Sequence, residues 1–402
     1  MDYPKPSIPL SPVLSWPGLN LAKDQNGGTE HSILANRHLI HVSSGRSAIA
    51  LALEETGIAA GDEVLVPAFH CESMVSPVTW RGATPVFYRV KGNTEIDLED
   101  LASKVNGKTK VIVAAHYFGF IQNLHPIVEL CKEKNLTLVE DCAHAFFGSR
   151  GGKGVGSWGD FAIASSMKFF PVYDGGILCS KKITSRIRGM DAPAFPFQIK
   201  SAINVLQNAT NYERLGITGR IFKLLTDGAE SIWRLIKKLT DREHSGIAGP
   251  SSSGGGYSLD ESWIHRQASW FSKLIIEHQN AERIVATRRK NYIRLQQALA
   301  GLTNARPLFE HLPEGVVPLV FPLYVEHPSL TFSALKNAGV PIWRFGEYLD
   351  PAITESVCSN SVDLSAHVFQ FPCHQELSEN ELNWMIETVV ATFAKARSEE
   401  RM

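Results

Sequence analysis

The chain has 402 residues, 44% of them hydrophobic, with 40 Lys and Arg against 41 Asp and Glu. The near-zero net charge excludes the broad basic surface of a general nucleic-acid binder. The apolar content is enough for two ordinary domains, or one large and one small. Six cysteines (Cys71, Cys131, Cys142, Cys179, Cys358, Cys373) are scattered without a CxxC pair. That spacing predicts neither a zinc site nor a disulfide framework, and no metal is expected; reduced thiols in a cytoplasm fit better.

In chain order, residues 1–35 read as an irregular arm punctuated by Pro and Gly. The start, "MDYPKPSIPLSPVLSWPG", lacks a basic segment leading into an apolar run, so it does not read as a signal peptide. No apolar run is long enough to span a bilayer. "SSGRSAIALALEETG" then predicts a helix from Arg46 to about Thr56, capped by Ser43 or Ser44 and stopped at Gly57. "EVLVPAF", "PVFYRV", "KVIVAAHY", "LTLVEDC", "FAIAS" and "GGILCS" read as short buried strands. "MVSPVTWRG", "DLEDLASKV" and "IQNLHPIVELCKEK" lie between them with helical spacing or polar faces. This alternation predicts βαβ units and a mostly parallel sheet, whose ligands bind beyond the carboxyl ends of the strands. Asp141, Lys168, His116 and the loop from Phe69 to Glu72 all fall at such ends.

Residues 193–256 differ in character. "GRIFKLLTDGAESIWRLIKKLTDRE" predicts an amphipathic helix with a basic excess, and "SGIAGPSSSGGGYS" a flexible linker. The helix, 219–242, is expected to pack on its own chain or on a partner subunit, with contact to a membrane surface the lesser alternative. A long helical region follows from Ser262 to Leu299, and the remainder alternates strands and helices on a smaller scale. The expected organisation is an arm (1–35), a large domain (36–262) holding the insert, and a long connecting helix with a smaller C-terminal α/β domain (263–402).

A lysine and an aspartate at neighbouring strand ends point to pyridoxal 5′-phosphate (PLP). That cofactor needs an amine to bond, an acid to keep its ring nitrogen protonated, and an anion site for its phosphate. "SSGRSA" offers Gly45, Arg46 and Ser47 at a helix start, where free N–H groups and the helix dipole favour anions. Taken alone, each feature has a plain structural explanation: a strand-end acid, a capped helix, a loop histidine at His70.

Together, "SSGRSAIALAL", "GDEVLVPAF", "GATPVFYRV", "VEDCAHA", "SSMK" and "DGG" resemble the DegT/StrS family of nucleotide-sugar aminotransferases in order and spacing. The likeness is good from Ile40 to Lys182, moderate from Arg288 onward, and absent across the insert. It implies an α/β fold of the fold type I class of PLP-dependent transferases. Such folds have a mostly parallel seven-stranded sheet flanked by helices and a smaller C-terminal domain, and they assemble as homodimers. By the same resemblance Lys168 is the Schiff-base lysine and Asp141 the ring-nitrogen acid, while His144 stands near the cofactor's phenolic oxygen. Gly45 and Arg46 fall on the phosphate-binding Gly-Thr pair, with Ser47 as an alternative hydroxyl. Ser165 or Ser166 is the phosphate-binding serine, and His70 or Cys71 stacks on the ring. His265 and Arg266 are the nearest match to the segment that reaches a partner subunit. The implied reaction carries an amino group from an amino acid, glutamate by family analogy, to a nucleotide-linked keto-sugar for polysaccharide synthesis. Two alternatives stand beside it. One is a sugar dehydratase on the same fold, in which family members replace the lysine by histidine. The other is a non-catalytic sugar-binding or regulatory relative.

Overall fold

The computed structural model describes residues 3–19, 31–36, 38–180, 189–221, 223 and 258–400. The basic stretch from 224 onward and the Gly-Ser-rich segment after it lie outside these residues, and so do the expectations placed on them.

The larger sheet has seven strands: β1 (Leu39–Val42), β2 (Glu63–Pro67), β3 (Thr84–Tyr88), β4 (Thr109–Ala115), β5 (Thr137–Asp141), β8 (Phe161–Ser165) and β9 (Gly176–Ser180). Their order is β1-β9-β8-β5-β4-β2-β3. The run from β8 to β3 is parallel; β9 pairs antiparallel with β8 and with the edge strand β1, so β9 alone runs against the other six. The expected mostly parallel seven-stranded sheet is therefore present. Its strands are apolar on both faces because both are covered. Val64, Val66, Val111, Val113 and Val139 enter one core, while Leu65, Ile112, Ala114 and Leu138 enter another on the opposite face.

Helices α1 (Gly45–Glu55), α2 (Glu72–Trp80), α3 (Leu98–Lys104) and α4 (His125–Lys134) make the connections. Of the two expected caps for α1, Ser44 is used: its side chain accepts from the Ser47 N–H, and Gly57 follows the helix with φ +74°. The loop after β5 contains a short hairpin, β6 (Ser149–Arg150) with β7 (Lys153–Gly154). Gly151 and Gly152 turn it with φ of +60° and +76°, the two successive left-handed positions that such a tight turn demands.

The expected long helix from 262 to 299 is instead two, α6 (Trp270–Glu277) and α7 (Ala281–Leu299), preceded by α5 (Phe195–Asn211). The break has a chemical cause. The Asn280 side chain accepts from the Arg283 N–H and starts a new helix. Beyond α7 lies a four-stranded antiparallel sheet of order β10-β11-β13-β12: β10 (Ala305–Pro307), β11 (Val320–Val325), β12 (Trp343–Arg344) and β13 (Val368–Pro372). Its core joins Phe321, Leu323, Phe369 and Phe371 to Tyr292 and Leu295 of α7.

The arm runs over both parts of the molecule. The Ser7 N–H donates to the Gly339 carbonyl, and His374 Nε2 lies 3.0 Å from the Pro9 carbonyl. None of the described helices is long and apolar enough to cross a membrane.

Candidate active site

The chain leaves β2 outward toward β3 and leaves β4 in the opposite direction toward β5. At such a reversal the loops part and a crevice opens beyond the strand ends. A cavity of about 490 Å³ lies there. Asp141, His144, Lys168, Cys71 and His116 line it, together with Gly45, Arg46 and Ser165 and, from the smaller sheet's side, Phe345 and His374.

Asp141 is the last residue of β5 and is 4% exposed. Among the described residues its carboxylate receives one hydrogen bond, from Ala143 N–H to Oδ1 at 2.8 Å. Burial pushes this carboxyl above its ordinary value, opposed by that hydrogen bond and by the Lys168 charge. Lys168 ends a single 3-10 turn, Ser166–Lys168, that follows β8. Its side chain lines the cavity. Burial draws the amine below the ordinary lysine value, with Cys71 and Asp141 pulling the other way.

His144 is held by its surroundings. Phe118 stacks on it with centroids 6.0 Å apart, and Phe345 meets it edge-on at 4.7 Å. The Phe118 N–H donates to Nδ1 at 3.4 Å. Burial and the Lys168 charge keep the ring neutral, so with Nδ1 accepting, the proton belongs on Nε2.

The helix start forms the opposite wall. A Cβ on Gly45 would come within 3.2 Å of Ser165 Cβ, so a larger residue there would push these two segments apart by a few tenths of an ångström. Arg46 lines the cavity, and its guanidinium also donates to the Ser258 carbonyl. Ser47 is not brought to the cavity. Its hydroxyl is engaged with Ser43 and Ser44 at 2.8 and 2.9 Å. Of the two serines before the lysine, Ser165 faces the cavity. Ser166 is fully buried, its hydroxyl has no hydrogen-bond partner among the described residues, and a Cβ on Gly175 would sit 3.5 Å from it.

His70 and Cys71 are separated by the fold. Cys71 lines the cavity at the start of α2. His70 is fully buried and stacks on Phe87 with centroids 5.0 Å apart. Its Nδ1 meets the Ala68 carbonyl at 3.0 Å, and its Nε2 accepts from the Asp350 N–H at 3.1 Å. His265 lies 3.5 Å from Glu54, the Arg266 guanidinium donates to the Ser262 carbonyl, and neither lines this chain's cavity.

Three further groups support the site: Glu140 and Arg288 were not singled out from sequence, and Asp174 only as the acid of the "DGG" spacing. Glu140, fully buried beside Asp141, accepts from the N–H groups of Gly156, Trp158 and Gly159 and from His116 Nε2 at 3.1 Å. Burial alone would raise its carboxyl, but the His116 and backbone donors win and hold it low. Asp174, the acid of the "DGG" turn, accepts from Ser269 N–H, from the hydroxyls of Ser269 and Ser272 in α6, and from Ser201 of α5. Arg288 of α7 is fully buried and donates to the Lys168 carbonyl at 3.1 Å. The alternating acid in "VEDC", read as polar and inward, was the available signal for Glu140. A lone arginine on a helix carries no such signal.

The layered sheet and strand-end cavity give a fold that this chain shares with solved aminotransferases. TlmJ from Streptoalloteichus hindustanus, an aminotransferase, superposes with a TM-score of 0.60 at 20% identity, covering 90% of this chain and 87% of that one. The Spr1654 sugar aminotransferase from Streptococcus pneumoniae, solved in a PLP-form, gives 0.64 at 18% identity over 98% and 99%. Residues 31–196 are similar to the DegT/DnrJ/EryC1/StrS aminotransferase family. In the same part the chain is 37% identical to the GDP-perosamine synthase of Vibrio cholerae, over 38% of this chain and 39% of the relative. It is 40% identical to the enzyme of that name from Escherichia coli O157:H7, over 36% and 40%. The matched part of the chain thus spans about two fifths of the length of these curated relatives.

Proposed function

We propose that the protein is a PLP-dependent aminotransferase that moves an amino group from an amino acid to a nucleotide-linked keto-sugar. The observation that carries this reading is the meeting of Asp141, Lys168 and His144 with the start of α1 around one cavity. The residues fit the cofactor. Asp141 has one carboxylate oxygen left for a ring N–H, and a buried carboxylate gains most from a cation placed against it. The neutral His144 offers an Nε2–H to a phenolic oxygen. Gly45, Arg46 and Ser165 form a wall suited to a phosphate, with Ser44 capping the helix behind them. Cys71, and not His70, is the residue placed to lie against a ring.

When bound, the cofactor supplies an electron sink for the substrate's α-carbon. Lys168 would hold it through its amine, and Lys168 Nζ is the group that would take a proton from that carbon and return one. A burial-lowered amine suits this task because more of it is free to accept. Asp141 keeps the ring cation in place through both halves of the reaction. Phe345 and Tyr117, backed by Phe69 and Phe118, give the cavity an apolar wall that would keep water from the reacting atoms. Glutamate is the donor in this reading, and the enzyme works as a cytoplasmic homodimer supplying amino sugars to polysaccharide synthesis. Lys168 speaks against the dehydratase alternative.

A relative from Geobacillus stearothermophilus, 32% identical over 149 residues, is called a pleiotropic regulatory protein. It keeps a second reading open, that of a regulatory protein retaining the fold. Incubation with glutamate, PLP and a panel of nucleotide-linked keto-sugars separates the two. Amino-sugar formation that is lost in Lys168→Ala supports the enzyme, and absence of product with every acceptor supports the regulatory protein.

A further inference from the structure

Arg288 is 0% exposed, yet among the described residues its hydrogen bonds reach no carboxylate. Its Nε–H donates to Gln375 Oε1 at 2.9 Å, Nη1 to the carbonyls of Pro318 and Leu319 at 3.2 and 2.9 Å, and Nη2 to the Lys168 carbonyl at 3.1 Å. Phe169 lies against the guanidinium face, 4.5 Å away. A buried charge is costly unless its donors are satisfied, and a fold with no use for one would place an apolar side chain there. The acceptors show the use. The Ser166–Lys168 turn is too short to satisfy its own last carbonyls. Arg288 takes that of Lys168, and Gln375 Nε2 takes that of Phe169 at 2.9 Å. Two successive peptide groups are thereby tied to α7 and to the segment after β13. The same guanidinium holds Leu319, which lines the cavity, but Arg288 itself does not line it.

We propose that Arg288, supported by Gln375, is a positioning residue that fixes the Lys168 backbone so that its amine is held at the reacting carbon. This rests on the aminotransferase reading above. In this proposal Arg288 affects the reaction chiefly through the Lys168 amine, so its removal costs little where that amine is already absent.

The test compares Arg288→Gln and Arg288→Lys in two backgrounds, the wild type and Lys168→Ala rescued by added methylamine. Single-turnover conversion of the PLP-loaded protein by glutamate is followed by absorbance. In the wild-type background Arg288→Gln slows conversion tenfold or more, and Arg288→Lys, which keeps a cation but loses the planar fork, slows it less. In the rescued Lys168→Ala background both variants change the rate less than twofold. In cofactor-free protein, hydrogen exchange over residues 166–170 quickens at least fivefold in Arg288→Gln, while β4 and β5 are unchanged. Equal slowing in both backgrounds, or unchanged exchange at 166–170, overturns the proposal. Should Arg288→Gln not fold, Gln375→Leu, which releases the Phe169 carbonyl, must give the same pattern in both assays. Failure of the underlying reading is seen separately, as a wild-type protein that gives no absorption change with PLP and glutamate.

Discussion

At the scale of single residues, the site is a set of buried charges whose cost the chain accepts. Asp141 and Lys168 are each pushed toward neutrality by burial and each opposed by the other's charge. Asp141→Asn keeps the shape and removes the charge. We expect it to bind PLP but to lose about a hundredfold or more in turnover, because electrostatic groups aimed at developing charge are worth that much. A rate within threefold of wild type, measured with saturating cofactor, would contradict the role assigned to Asp141. These two residues were legible in the sequence because an acid and an amine at successive strand ends have no place in an apolar core. The choice between His70 and Cys71 was not legible. Adjacent residues after a strand point in different directions, and only the fold shows that His70 turns inward to Ala68, Asp350 and Phe87. Arg288 was likewise hidden, since its partners lie 30, 31, 87 and 120 residues away.

At the scale of elements, the "DGG" turn ties the site to the helices that follow. Gly175 has φ +127°, and a Cβ on Gly176 would lie 2.3–2.5 Å from the Ser44 and Gly45 backbone, so both positions require glycine. Asp174 gathers α5 and α6 through three serine hydroxyls and one N–H. Asp174→Ala removes the carboxylate that those buried donors share. It should destabilise the protein by on the order of 3–5 kcal/mol, read from chemical denaturation. A loss below about 1 kcal/mol would show that the tether is dispensable. The sequence displayed the turn as spacing behind Lys168 but not as an anchor, because the serines that bind it come 27 to 98 residues later. The strands of the larger sheet were readable as apolar runs between turn residues. The division of α6 from α7 was missed because the apolar period continues across Asn280 while its capping hydrogen bond interrupts the backbone.

At the scale of the whole molecule, the arm and the smaller sheet meet beside the cavity at His374. This histidine is 1% exposed, with Nε2 at the Pro9 carbonyl and Nδ1 accepting from the Glu376 N–H. Burial, outweighing the Pro9 hydrogen bond, drops its pKa from 6.5 to about 3. The folded pKa is the lower one, so the neutral ring's contribution is fully present above pH 6.5. It is lost as pH falls toward 3, when the unfolded chain takes up a proton that the folded chain refuses. The slope is at most ~1.4 kcal/mol per pH unit for one such group. Melting curves between pH 7 and 4 should show this decline, and His374→Gln should flatten it. An identical slope in the variant would contradict the assignment.

The central claim is that this chain binds PLP through Lys168 and uses it to take an amino group. The most direct measurement is the visible absorption spectrum of the PLP-loaded protein before and after glutamate, with Lys168→Ala as the control. The account predicts a yellow band that glutamate bleaches and that is absent or altered in the variant. A protein that stays colourless with added PLP, or a band that Lys168→Ala leaves unchanged, would contradict it.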